Sequence, residues 1–383
     1  MTSLPSPLLL FCLINLVIGS GAFVIGGILE PIAKDLGTSL PVAGQAMTAY
    51  AMATALLAPL VLLATGRWPR KQVLMLALVL FTAGNAVCAM ADSLPFLLAG
   101  RVLMGLGAVF TPVAAGIAVS LVAPAQRGKA LALVFLGMSL SYAIGLPLGS
   151  WLGLHYGWHT PVWGVTGLSV LAILAVAWRV PAVLAAPGAS FRGLGALLAQ
   201  ASVRWTLLMT LLYFVAIFSV FAYIGPVLQA LLPMSGDQLS FTLMLFGLAG
   251  VVGTLTGGWG TDRFGPRRTL AVQLLLLAGM MVLVPLTAGH YGALVLALVV
   301  WGVAGFGMMA PQQSRLAALA PTHAPVLLSL NTSMLYLGTA GGAAVGGAAA
   351  GPLGLAQLAW AGLPFAVAGL GALWLSTRSE SGA

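Results

Sequence analysis

The chain is a succession of apolar runs, each long enough to cross a bilayer, separated by short stretches where charge, Pro and Gly concentrate. A helix needs about 20 apolar residues to cross a hydrocarbon core of roughly 30 Å. Runs of that kind lie near 7–29, 42–64, 72–91, 96–121, 129–153, 160–180, 204–230, 240–260, 269–288, 292–315, 325–350 and 357–376. The pattern predicts an all-α membrane protein of twelve spans with short loops and one longer connector over 181–203. The first run continues past Phe23 into Leu29, too long for the apolar stretch of a cleavable leader, and is expected to be the first span.

Composition removes the soluble alternatives. Of 383 residues, 61% are hydrophobic and only 5% charged, whereas a water-facing surface draws on roughly 25% charged residues. Lipid is therefore the expected solvent. The net charge of +9 does not point to nucleic acid, because the basic residues sit in clusters between the apolar runs. Arg67, Arg70 and Lys71 follow span two, and Arg127 and Lys129 follow span four. Arg179, Arg192 and Arg204 mark the connector; Arg263, Arg267 and Arg268 follow span eight; Arg315 ends span ten and Arg378 follows span twelve. The opposite loops hold one basic residue, Lys34. This asymmetry predicts a bacterial-type inner-membrane protein with both termini and the connector in the cytoplasm.

Weak internal repetition divides the chain into a six-helix bundle over 1–180, a cytoplasmic linker over 181–203 and a second six-helix bundle over 204–383. Leu29-Glu30-Pro31 closes span one as Ile224-Gly225-Pro226 closes span seven. Gly145 and Gly149 of span five have counterparts in Gly338, Gly342 and Gly346 of span eleven. Two parallel repeats around a site near mid-membrane form a known transporter plan.

Three motifs sharpen that plan. Gly258-Trp-Gly-Thr-Asp262-Arg263-Phe-Gly265-Pro-Arg267-Arg268 resembles the loop signature of the major facilitator superfamily between spans eight and nine. In such a loop Asp262 can cap or pair at a helix end while the arginines stay at headgroup level, forming a latch. The first-half copy departs from the signature: Leu62, Gly66 and Pro69 stand where Gly, Asp and Gly are expected, although Arg67, Arg70 and Lys71 remain. Arg101-Val-Leu-Met-Gly105-Leu-Gly107 resembles the superfamily's span-four motif, whose Arg faces the central cavity; an outward-snorkelling Arg101 is the other reading. Gly145-Leu-Pro147-Leu-Gly149, with Gly137 upstream, resembles the span-five motif of drug:proton exporters, and the following run to Trp158 resembles the sugar-efflux permease group. The resemblance implies the major facilitator fold and alternating access.

The candidate chemistry is sparse. Cys12 and Cys88 lie in apolar runs and read as core residues. No phosphate-binding Gly-rich loop is present, no nucleophile and base pair up, and His155, His159, His290 and His323 lack metal spacing, so no enzyme, metal or cofactor is expected. Polar residues inside the runs, which in lipid face the bundle interior, nominate Asn15, Gln45, Tyr50, Ser141, Tyr142, Tyr213, Gln312, Gln313, Asn331 and Tyr336 for the cavity. Each could equally bridge two helices. Related exporters carry a carboxylate in mid-span one; here that segment reads Ile18-Gly-Ser20-Gly-Ala22-Phe23. Glu30 and Asp35 at the outer mouth are then the candidate proton carriers, with Arg101 in coupling; a surface pair of Glu30 with Lys34 is the plainer alternative. The function expected is proton-coupled export of a small neutral or amphipathic solute by a monomer. The alternatives are an uptake symporter or uniporter, and a sensor that binds without transporting.

Overall fold

The computed structural model of the chain describes residues 6–123, 126–181, 194–320 and 324–381. Among them every regular element is helical, as hydrocarbon demands, since a helix satisfies its backbone N–H and C=O groups within one segment. Eleven helices are long and apolar enough to cross a membrane: Pro7–Gly27, Leu40–Ala64, Arg70–Ala89, Leu94–Ser120, Lys129–Tyr156, His159–Arg179, Ala201–Phe221, Gly236–Phe264, Pro266–Thr287, Tyr291–Leu319 and Leu355–Ser379. Ala324–Leu353 supplies the twelfth. In chain order these are spans one to twelve, Ala324–Leu353 being span eleven.

The expected boundaries need three corrections. Span one ends at Gly27 and a separate short helix, Leu29–Asp35, follows; span seven ends at Phe221 and is followed by Ile224–Leu231. Pro31 and Pro226 each sit in the first turn of the second piece, where a missing N–H costs nothing. Both pieces are apolar, so hydropathy alone runs them together. Span eight extends beyond 240–260 to Gly236–Phe264, because its terminal charges, Asp237 and Arg263, lie in the first and last turns. Of the connector, 182–193 fall outside the described residues, Ser190 and Arg192 among them; the described part holds a short helix, Leu194–Ala199, and span seven begins at Ala201.

Small residues set how closely the spans approach. Gly137, Gly145 and Gly149 of span five lie against Cys12, Ser20 and Val24 of span one, and Gly153 against Ile28 just beyond it, so closely that a β-carbon at any of them would collide. Gly338, Gly342 and Gly346 of span eleven lie in the same way against Leu211, Val215 and Ser219 of span seven. The repeated glycines are thus one interface used twice, once in each six-helix half. Between the halves, span two packs on span eleven and span five packs on span eight. A two-fold axis along the membrane normal exchanges these two pairs.

The halves meet tightly at the end away from the basic loops. Gly26 and Gly27 touch the backbone of Phe221 and Gly225. Tyr223 wedges over Gly44 and Gly347, its hydroxyl donating to the Ala343 carbonyl at 3.0 Å. At the other end Gly265 turns the chain from span eight into span nine with φ +82, a conformation that explains the second glycine of the loop signature.

Candidate functional site

Arg101 lies two turns into span four and is 1% exposed. Its Nε donates to the Ala46 carbonyl at 3.1 Å, Nη1 to Gly21 at 2.8 Å and Nη2 to Ala22 at 2.7 Å. The Tyr50 ring covers the guanidinium, 4.8 Å from Cζ to centroid. A buried cation needs such partners, and the snorkelling reading is thereby set aside. The mid-span-one segment, which holds no acid, offers two backbone carbonyls instead. A hollow of ≈ 10 Å³ lined by Gly21, Asn85, Cys88 and Arg101 leaves room beside them for about one water.

From Tyr50 an aromatic set crosses between the halves. Tyr50 of span two meets Tyr336 of span eleven edge to face at 6.4 Å. Tyr142 of span five stacks on Phe23 of span one at 4.6 Å and reaches Phe306 of span ten at 4.4 Å. Phe306 and Phe221 lean on Phe246, which packs against Trp301 at 5.1 Å. Tyr142 belongs to a five-residue π-helical turn, Ser141–Gly145, ahead of Pro147. Such turns re-aim side chains inside a helix. Two polar atoms in this set are buried without a hydrogen-bond partner: the Tyr50 hydroxyl, which lies beside Thr54 and Tyr336 without closing on either, and Trp301 Nε1. Each such group costs about 1–3 kcal/mol until a partner meets it.

The remaining candidates separate into other settings. Asn15 accepts from Thr111 at 2.7 Å and donates to the Val134 carbonyl, tying spans one, four and five. Tyr213 donates to the Ala304 carbonyl and braces span seven on span ten. Gln312 donates to the Thr206 carbonyl and to Thr210, which donates to Asn331 at 2.6 Å. Ser141 is buried in the π turn, its hydroxyl on the Met138 carbonyl. Gln45 is half-buried near Pro41, and Gln313 is half-buried on span ten. Of the cavity candidates Asn15, Gln45 and Tyr50, Tyr50 is the one that lies against Arg101.

The charged motif residues lie at the surface. Asp262 is exposed and closes no ion pair or hydrogen bond among the described residues, so the expected latch is not formed in this arrangement. Arg263, Arg267, Arg268 and Arg67 are exposed as well, while Arg70 is buried and Lys71 donates to the Ala177 carbonyl at 2.7 Å. Gly258 faces open space; its neighbour Gly257 is the one packed against Gly307. Gly105 packs on Ala53 and Tyr50. Glu30 is exposed and forms no pair with Lys34, and Asp35 accepts from Trp158 Nε1 at 2.8 Å. No group of His, Cys, Asp or Glu among the described residues could hold a metal.

Sequence reasoning passed over paired breaks in spans four and ten. Span four is helical over Leu94–Gly107 and Phe110–Ser120, span ten over Tyr291–Phe306 and Met309–Leu319. Pro112 and Pro311 withhold the N–H that would reach Ala108 and Gly307. Interrupted helices at corresponding places in two repeats mark a transport site, and the signal was legible as a proline inside each apolar run. The same alignment places Trp301 four residues before Gly305 as Arg101 stands four before Gly105.

Comparison with known proteins agrees with this architecture. The family model of the Major Facilitator Superfamily matches residues 11–343 and 234–381. The chain is 31% identical to the inner membrane transport protein YdhP of Escherichia coli (strain K12), over 87% of each chain. It is 32% identical to a chloramphenicol resistance protein of Streptomyces lividans, covering 97% of this chain and 93% of that one. Among solved structures, a bacterial homolog of the human lysosomal transporter Spinster, inward-facing and occupied, superposes with a TM-score of 0.82 at 17% identity, over 97% of this chain and 96% of the other. A D-xylose–proton symporter gives 0.80 at 15% identity, covering 96% of each. The chain belongs to the Major Facilitator Superfamily of membrane transporters.

Proposed function

We propose that this transporter exports a small neutral or amphipathic solute in exchange for protons, through alternating access of its two halves. The observation that carries the reading is the aromatic set of Phe23, Tyr50, Tyr142, Phe306 and Tyr336, drawn from both halves and holding an unpartnered buried hydroxyl. Aromatic faces take up planar apolar surface, and the free hydroxyl and indole N–H supply the few polar contacts that orient a ligand. The five acids whose side chains are described, Glu30, Asp35, Asp92, Asp237 and Asp262, are all exposed. A dication would find no counter-charge among them in the core, which favours uncharged solutes. The relative named for chloramphenicol resistance supports export. The basic loops support cytoplasmic termini. Glu30 and Asp35, on the short helix that follows span one, are the proposed proton carriers.

One charge crossing a potential of 100 mV supplies about 2.3 kcal/mol, enough for about a fiftyfold solute gradient. The test uses proteoliposomes loaded with radiolabelled chloramphenicol. Acid outside is expected to speed release over vesicles treated with a protonophore. Equal rates would exclude proton-driven export, and absence of any exchange of labelled for unlabelled solute would point to a sensor.

A further inference from the structure

A second set of contacts crosses between the halves at the sealed end, on side chains that the aromatic site does not use. Trp151 and His155 lie on the last turns of span five; Asp237 lies in the first turn of span eight. Trp151 Nε1 donates to Asp237 Oδ1 at 2.7 Å, and His155 Nε2 stands 3.4 Å from the same oxygen. His155 Nδ1 lies 2.9 Å from the Trp151 carbonyl, and the two rings stack at 4.7 Å. A carbonyl only accepts, so Nδ1 carries the ring hydrogen. In the neutral imidazole Nε2 is then a bare lone pair facing a carboxylate. Taking one proton from water turns the same contact into a charge-assisted N–H···O bond and adds a cation over the Trp151 face.

We propose that His155, Asp237 and Trp151 form a proton-strengthened clasp that holds the sealed end shut, so that acidity on that side sets how often the transporter opens there. The proposal rests on the alternating-access reading. The sign follows from the geometry: the protonated ring favours the sealed arrangement, and its loss of the proton as pH rises leaves only the Trp151 bond. Few other charges compete. Span one carries none. Span six presents His159, directed at the Ala91 carbonyl at 3.4 Å, and Arg179 at its far end. Tyr156 is the remaining titratable neighbour on span five. Span ten, packed along span eight, brings Tyr291, whose hydroxyl lies 3.1 Å from that of Thr242, and His290 just before it. Asp262 and Arg263 lie at the opposite end of span eight. Asp35 is held by Trp158.

The experiment places nitroxides at Met90→Cys and Leu286→Cys, exposed positions at the sealed end of each half, in a Cys12→Ala, Cys88→Ala background in nanodiscs. Pulsed electron–electron distance measurements then give the sealed-to-open ratio. Between about pH 8 and about pH 5.5, the range over which histidine changes charge, that ratio should rise roughly two- to fivefold, the size an exposed pair supports. His155→Gln should be flat and more open, His155→Arg flat and sealed, and Asp237→Asn flat and more open. A His155→Gln variant that keeps the parent's pH response, or a parent whose two populations ignore pH, overturns the clasp alone. A single distance in every variant and condition overturns alternating access as well.

Discussion

Arg101 shows which part of a site a sequence can carry. Its motif marked it as an intramembrane cation, and Tyr50 stood among the polar residues expected in the cavity. The acceptors that hold it, the carbonyls of Gly21, Ala22 and Ala46, were illegible because every residue has a carbonyl and only the fold says which ones converge. The same limit explains Gly258 and Gly257: the signature names one glycine and the packing uses its neighbour. Three carbonyls spread around a planar fork also make a specific prediction. Lysine keeps the charge but is a compact ammonium that cannot reproduce the fork, and each bond lost from a charged donor costs about 1.5–3 kcal/mol. Arg101→Lys is therefore expected to lower transport about tenfold or more at matched expression, and to lower Tm in detergent. Transport within about twofold of the parent would remove Arg101 from the coupling role its motif leads one to expect.

The helices were legible as apolar runs, and their number and order follow from hydropathy alone. Of their internal breaks, Pro112 and Pro311 signal those in spans four and ten although the runs stay apolar through them, while nothing in the apolar run marks the π turn at Ser141–Gly145. What the turn accomplishes lies in three dimensions: it presents the Tyr142 backbone to Gly247 of span eight, so closely that a β-carbon there would strike the Tyr142 carbonyl. This belongs to the packing of span five on span eight, one of the contacts that join the halves. Gly247→Ala should push spans five and eight apart. Overpacking of this kind costs about 1–3 kcal/mol, all of it in the arrangement with the spans joined. The expected result is a larger open fraction in the Met90–Leu286 distance distribution with helical content unchanged. An unaltered distribution would mean that this contact does not contribute to the seal.

At the scale of the whole molecule, composition and charge placement gave the twelve-span architecture, and the repeated glycines gave its two-fold relation. Which end is sealed could not be read, since under the proposed alternating access one sequence serves both arrangements. The loop signature becomes intelligible in that light. With the halves joined through Gly26, Gly27, Phe221 and Gly225, Asp262 is exposed and closes no ion pair among the described residues. A latch built on it can only close in the opposite arrangement, when the basic-loop end comes together and the present seal opens. Asp262→Asn should then leave the arrangement described above untouched and destabilise its alternative. The distance distribution between Met90 and Leu286 would shift toward the sealed population, and transport would slow because the return step is starved. If the latch is solvated when closed, the shift should be roughly two- to fivefold; if it is buried, removing one partner costs about 3–5 kcal/mol and the open population should all but vanish. A variant with the parent's distribution and the parent's transport rate would show that the Asp262 cluster is a positive-inside loop and nothing more.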